Sequence, residues 1–177
     1  MEWLLIGVAV IVGLLAWRIV ASRPGAPRAG DPAPGFSLPD QEGRTRELRE
    51  FRGGWLVLYF YPRADTPGCT EQAARYAGAM REIEALGARV CGVSVDGSDR
   101  LARFAARYKL PFALLSDRDG AVAARYGSLV NLVLMKFAKR NTFLIDPRGS
   151  IAKVYLSANP ARNATEVLSD LKELNRK

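Results

Sequence analysis

The hydrophobic positions recur with two periods, and together they predict an alternation of strands and helices. Trp55 to Phe60 is an uninterrupted apolar run, as expected of a strand covered on both faces. After Cys69, residues Tyr76, Met80, Ile83 and Leu86 return at helical spacing, and Gly87 supplies a stop. Arg89 to Val95 reads as a second strand. Ser98 suits the cap of a helix that gathers Leu101, Phe104, Ala105 and Tyr108 on one face, with Pro111 beyond its end. Pro111 to Ser116 predicts a strand and Ala121 to Tyr126 a short helix. Thr142–Ile145 and Ile151–Tyr155 flank the turn Asp146-Pro147-Arg148-Gly149, a hairpin pattern. A last helix is expected from about Asn159-Pro160, burying Val167, Leu168, Leu171 and Leu174. Upstream, Phe36–Leu38 and Thr45–Leu48 around Asp40–Gly43 read as an N-terminal hairpin. The whole is an α/β pattern with a mixed sheet flanked by helices.

Two stretches stand apart from this rhythm. Trp3 to Ala16 carries no charge, and counted to Ala21 the stretch is long enough to span a bilayer. Arg18 can snorkel to the headgroups, and Trp3 and Trp17 fall where interfacial aromatics are favoured. Only Glu2 precedes the apolar run, which argues against a cleaved signal peptide, and no polar face marks a core helix. Residues 1–21 therefore read as a single-span transmembrane anchor, 22–35 as a Pro/Gly-rich tether and 36–177 as the globular domain. Arg18, Arg23 and Arg28 follow the span, which puts that domain on the cytoplasmic side, with a periplasmic domain as the alternative. The second stretch, Leu129 to Phe137, is unusually apolar for a connection. Packing over the core is the plain expectation, and an exposed patch for a membrane surface or a second subunit is the alternative.

The chain has 177 residues, two cysteines and no histidine. Without histidine there is no Ser-His-Asp triad, Cys-His pair or His-containing metal site, and two thiols cannot build a zinc site alone. No metal and no cofactor are implied. The net charge is +8, but the basic residues are scattered without an aromatic platform. That pattern speaks against nucleic acid and fits an anionic membrane surface equally well.

The chemistry concentrates at Leu58-Tyr59-Phe60-Tyr61-Pro62-Arg63-Ala64-Asp65-Thr66-Pro67-Gly68-Cys69-Thr70-Glu71. A buried strand leaves the core, turns at Pro62 and enters a helix, with Thr66 as N-cap and Pro67 at the first helical position. Cys69 then sits in the first turn, where orphan N–H groups and the helix dipole favour a thiolate. The plain alternative is a small buried hydrophobe.

Pro62, Thr66 and Cys69 form a Pro-x-x-x-Thr-x-x-Cys pattern that resembles the active-site signature of peroxiredoxins. The longer Tyr-Pro-x-x-x-Thr-Pro-Gly-Cys-Thr is similar to the bacterioferritin-comigratory, or Q-type, branch of this AhpC/TSA-like redoxin family. The resemblance covers roughly Asp31 to Lys177. It implies a thioredoxin-like fold and a thiol-dependent peroxidase that reduces hydrogen peroxide and organic hydroperoxides through a Cys69 sulfenic acid. It also picks out Arg140, in Arg140-Asn141-Thr142-Phe143-Leu144-Ile145-Asp146, as the fixed cation favouring the thiolate. Gly68 would offer a backbone donor, Pro62 would shield the pocket, and Gln72 would orient Arg140. Arg63 reads as a solvated cation.

Many Q-type members carry a resolving cysteine five residues after the nucleophile, and here that position is Ala74. A one-cysteine mechanism is therefore expected, with an external thiol reductant: thioredoxin, glutaredoxin or a low-molecular-weight thiol. Cys91 is expected to be structural, and the chain to be a monomer or homodimer. Two other readings compete. A membrane-anchored thiol-disulfide oxidoreductase would want Cys-x-x-Cys, whose partner position is Gln72. A redoxin-like binding module would not need an intact set of site residues. Asn163-Ala164-Thr165 matches a glycosylation acceptor, taken as a chance match.

Overall fold

The computed structural model describes residues 25–132 and 135–176. The expected span over 1–21 and the start of the tether lie outside them. Among the described residues no helix is long and apolar enough to cross a membrane.

A small hairpin opens the domain, β1 (Ser37–Pro39) against β2 (Thr45–Glu47). A 3₁₀ turn over Leu48–Phe51 follows, where strand was expected at Leu48. Its signal is the pair Glu47 and Glu50, which form a capping box in which the Glu47 N–H donates to Glu50 Oε1 at 2.7 Å. The main elements are β3 (Trp55–Phe60), α1 (Pro67–Ala85), β4 (Ala88–Ser94), α2 (Ser98–Tyr108), β5 (Ala113–Ser116) and α3 (Ala121–Arg125). Then come β6 (Leu129–Leu132), β7 (Met135–Ala138), β8 (Thr142–Ile145), β9 (Ile151–Tyr155) and α4 (Asn163–Leu174). Five strands make one mixed sheet in the order β5-β4-β3-β8-β9, with β3, β4 and β5 parallel and β8 antiparallel to both its neighbours, β3 and β9. This is a thioredoxin-like α/β fold.

The period of two decides which side chains serve which face. Along β3 and its exit, Val57, Tyr59 and Tyr61 pack with α1, α2 and α4, joined by Tyr76, Phe104, Leu114 and Val167. Leu56, Leu58 and Phe60 point to the other face, with Cys91, Tyr126, Phe143 and Phe36. Both faces of β3 are thereby dry, which is why its sequence is apolar without alternation.

Several expected boundaries shift for local reasons. The cap of α2 is Gly97, and Ser98 is already helical. β5 starts at Ala113, after Pro111 and Phe112. α4 starts at Asn163 because Asn159 holds a turn of its own, its Oδ1 accepting from the Ala161 N–H at 2.9 Å. The apolar stretch 129–137 does not pack flat over the core. It folds into a second hairpin, β6 against β7, that leaves Leu132 and Met135 exposed.

The expected tether also differs. From Ala26 to Pro34 the chain lies along the domain, with Ala26 and Ala33 against the second core. The Gly30 N–H donates to the Ile151 carbonyl (2.8 Å), the Ile151 N–H to Asp31 (2.8 Å), and the Ala33 N–H to Gly149 (2.9 Å). Tyr126 donates to the Pro34 carbonyl at 2.7 Å. A Pro/Gly-rich composition suits this path because it needs few donors and follows the β8–β9 turn closely. Removing these bonds should cost roughly 2–4 kcal/mol at about 1 kcal/mol each. A fragment starting at Gly35 should therefore unfold at a clearly lower urea midpoint than one starting at Gly25; equal midpoints would mean the segment contributes nothing.

Candidate active site

Cys69 is the third residue of α1, after Thr66 at the N-cap and Pro67 and Gly68 in the first turn. The loop leading into it is pinned to α2 and to the turn just before it. The Ala64 N–H donates to Asp96 at 2.7 Å, and Arg100 donates to the Ala64 carbonyl at 2.9 Å. Asp65 takes a left-handed conformation (φ 66°) and is held there by Arg107 and the Tyr108 hydroxyl. Pro62 is half-buried at the end of β3, and Arg63 is exposed.

Thr66 occupies the N-cap without capping. Its hydroxyl donates to the Arg63 carbonyl at 2.9 Å, and no side chain accepts from the first turn. The N–H groups of Gly68 and Cys69 have no intrahelical acceptor at these positions, so they remain donors at the mouth of the helix. The Thr66 oxygen keeps its lone pairs as acceptors.

Cys69 is 1% exposed, in a wall of tyrosines. Burial pushes the Tyr59, Tyr61 and Tyr76 hydroxyls well above the ordinary phenol range, so they stay neutral. The charge in contact with the sulfur belongs to Arg140. Its Nη2 lies 3.5 Å from Cys69 Sγ, and its Nη1 donates to Gln72 Oε1 (2.8 Å) and the Gly68 carbonyl (3.4 Å). Gly68 has a steric role as well. A Cβ there would stand 3.2 Å from Arg140 Nη2, so a side chain would crowd the guanidinium.

Two more residues set Arg140, and sequence reasoning missed both. Asn141, 2% exposed, ties its turn to the frame. Its carbonyl accepts from the Phe60 N–H (2.8 Å), its amide donates to Ser128 (3.0 Å), and its Oδ1 accepts from the Ser157 N–H (3.0 Å). Asn163 lies at the start of α4, fully buried, so the glycosylation match has no structural basis. Its Oδ1 accepts from Gln72 Nε2 (3.1 Å), Tyr76 (2.6 Å) and Thr142 (2.8 Å). The order of these bonds is forced from one end. A guanidinium only donates, so Gln72 must turn its oxygen to Arg140 and its NH₂ to Asn163, and Asn163 must accept. Nothing local in the sequence marks a residue 91 positions from Gln72 as its partner.

With this geometry in view, the relatives are informative. The AhpC/TSA family matches residues 29–154. The chain belongs to the AhpC/TSA family. Within it, the chain is of the Bcp/Q type. It is 41% identical to Peroxiredoxin Bcp of Escherichia coli K12 over 150 residues, 82% of this chain and 96% of that protein. It is 38% identical to the chloroplastic Peroxiredoxin Q of Sedum lineare, over 82% of this chain and 78% of that one. Among solved structures, Peroxidoxin BcpB from Mycobacterium tuberculosis superimposes with a TM-score of 0.80 at 34% identity, covering 84% of this chain and 98% of that one. Peroxiredoxin Q of Xanthomonas campestris gives 0.75 at 30% identity, covering 79% and 91%.

Within this family frame, the two thiols of the chain are far from equivalent. Cys91 pairs in register with Leu58 and belongs to the core on the opposite face of the sheet from Cys69. The sheet itself separates them, in keeping with the structural role expected of Cys91. Ala74 is exposed on α1.

Burial pushes the Cys91 thiol up to about 12, from an ordinary value near 9. Unfolding exposes a thiol that ionises first, so between these pH values the unfolded state holds fewer protons and the fold loses stability as pH rises. Cys91→Ala should flatten that part of the stability profile, measured by urea unfolding across the alkaline range. Asn163→Ala should strand three buried donors and cost on the order of 3 kcal/mol. An unchanged melting curve would show that those bonds contribute nothing.

Proposed function

We propose that the chain is a thiol-dependent peroxidase in which Cys69 reduces hydrogen peroxide and organic hydroperoxides and an external thiol restores it. The observation that carries this reading is the contact of Arg140 Nη2 with Cys69 Sγ at the third position of α1.

The chemistry follows from the donors. The thiolate attacks one peroxide oxygen, the S–O bond forms as the O–O bond breaks, and the departing oxygen leaves as alkoxide or hydroxide and takes up a proton. Arg140 favours the thiolate beforehand and the developing negative charge afterwards. The N–H groups of Gly68 and Cys69 face the same region, and the Thr66 oxygen, whose own proton is committed to Arg63, accepts from the peroxide O–H. Pro62 narrows the mouth. The resulting sulfenic acid condenses with an external thiol, releasing water, and a second thiol displaces the mixed disulfide. Thioredoxin, glutaredoxin and a low-molecular-weight thiol all fit that role. Cys91 takes no part.

The disulfide-oxidoreductase reading loses ground, because the partner position Gln72 is buried and committed to Arg140 and Asn163. The domain is also proposed to sit on a membrane through residues 1–21, on the cytoplasmic side given Arg18, Arg23 and Arg28. Recovery of the full chain in the soluble fraction after lysis would remove the anchor.

Peroxide consumption with dithiothreitol as reductant tests the chemistry. Cys69→Ser should have no turnover and Cys91→Ser should match wild type. Arg140→Ala should lose about 10²- to 10³-fold, the usual cost of an electrostatic donor. Arg140→Lys should recover only part, since an ammonium cannot contact sulfur and Gln72 as a planar fork does. Wild-type kinetics in Arg140→Ala would remove that residue from the mechanism.

A further inference from the structure

A cationic groove of about 470 Å³ runs beside the loop that leads into Cys69, lined by Asp65, Arg100, Arg103, Phe104 and Arg107. Helical spacing makes it. Positions 100, 103 and 107 return to one side of α2, so three guanidiniums share the groove with one carboxylate. Arg63, on the loop itself, is exposed and forms no ion pair among the described residues. At the other end of the groove, Arg118 stands by the cap of α2, its Cζ 3.7 Å from the place of a Cβ at Gly97.

The acids that oppose these cations are Asp65, Asp96 and Asp99, and they leave most of the donors unspent. Arg100 gives Nη2 to the Ala64 carbonyl and lies 3.4 Å from Asp96 through Nε. Arg107 gives only Nη1 to Asp65, at 3.1 Å. Arg103 meets Asp99 at 3.4 Å, but the two side chains are 72% and 76% exposed, and such a pair is worth little in water. Guanidiniums with spare N–H forks are suited to carboxylate or phosphate oxygens.

The groove also lies close to the sulfur. Asp65 and Cys69 are four residues apart, so their Cα atoms are separated by about 14 Å at most. Tyr61 is near both: its ring centroid is 6.3 Å from that of Phe104, and its hydroxyl feels the charges of Cys69 and Arg100. Cys69 itself is 1% exposed behind half-buried Pro62, Thr66 and Gly68. A small thiol enters such a mouth more readily than a cysteine held on a folded protein surface.

We propose that the α2 groove is a subsite for the anionic group of a low-molecular-weight thiol, which it holds while that thiol reduces oxidised Cys69. The inference rests on the thiol-peroxidase reading and selects among its reductants. The bound thiolate attacks the Cys69 sulfenic acid, the S–S bond forms as the S–O bond breaks, and the departing hydroxide takes up a proton to leave as water. A second thiol displaces the first, giving a free disulfide and the Cys69 thiolate. Each thiol gives up one electron, and the Cys69 sulfur regains two. A tripeptide thiol, about 10 Å long when extended, is of the size that the separation calls for.

The test uses the full chain in a non-ionic detergent, oxidised with hydrogen peroxide. Sulfenate trapping and mass spectrometry follow its reduction by glutathione and by glutathione dimethyl ester, which lacks both carboxylates. At low ionic strength glutathione should react about tenfold faster than the ester, and added salt should shrink that ratio. Arg103→Glu should bring the ratio close to one and leave the oxidation of Cys69 by hydrogen peroxide unchanged. Arg148→Glu, in the β8–β9 turn at the other end of the sheet, makes the same change in net charge and should leave the ratio alone. Equal rates for the two thiols, or a sulfenate that thioredoxin reduces and neither thiol does, would overturn the subsite while the peroxidase reading stands. An equal effect of Arg148→Glu would also overturn it, by assigning the preference to overall charge. If peroxide forms no sulfenate on Cys69, both readings fall.

Discussion

A guanidinium held half out of water carries five N–H donors, and it stays at a sulfur only if other acceptors fix the rest of it. Arg140 meets that demand with Gln72 and the Gly68 carbonyl on Nη1, which leaves Nη2 directed at Cys69. The remainder of the site follows from this requirement. Gly68 leaves the guanidinium uncrowded, Gln72 must present its oxygen, and Asn163 must accept what Gln72 donates. Asn141 holds the turn carrying Arg140 against the end of β3, so the charge and the helix start it serves are referred to the same strand.

The fold serves this arrangement by bringing distant parts of the chain to one end of the sheet. β3 delivers Pro62 and the loop to α1, and the β7–β8 turn delivers Arg140. α4 supplies Asn163 from the far end of the sequence. The loop between Pro62 and Thr66 is not left free, because Asp96 holds it from the turn before α2 and Arg100, Arg107 and Tyr108 hold it from α2 itself. Ordering these groups in advance is what lets weak individual contacts act together on the reacting atoms.

Much of this was legible in the sequence, and what was not has a physical reason. The apolar run of β3, the helical spacing after Cys69 and the turn at Asp146–Gly149 are local signals, and the elements appeared where they pointed. Arg140 was legible through the family resemblance and Gln72 through its place three residues after Cys69, and the two are in contact at 2.8 Å. Asn163 and Asn141 were not, because a buried amide is indistinguishable from a surface one until its partners are known. The Pro/Gly composition of residues 22–35 suggested a tether, yet from Ala26 onward the segment lies along the β8–β9 turn, and composition alone does not report that docking. The stretch 129–137 carried two readings, core cover and an exposed patch, and each holds in part, because apolar residues of the hairpin alternate between a seated face with Leu129 and an open one with Leu132 and Met135.

The central claim is that Arg140 acts on Cys69 through a position that Gln72 fixes. Single-turnover oxidation of Cys69 by hydrogen peroxide, followed by sulfenate trapping and mass spectrometry, tests it in wild type, Gln72→Leu, Arg140→Ala and the double variant. Gln72→Leu should slow wild-type oxidation about tenfold, equivalent to about 1.4 kcal/mol, and should have almost no effect once Arg140 is gone. Losses that simply add in the double variant would mean that Gln72 and Arg140 act separately, and would contradict the account.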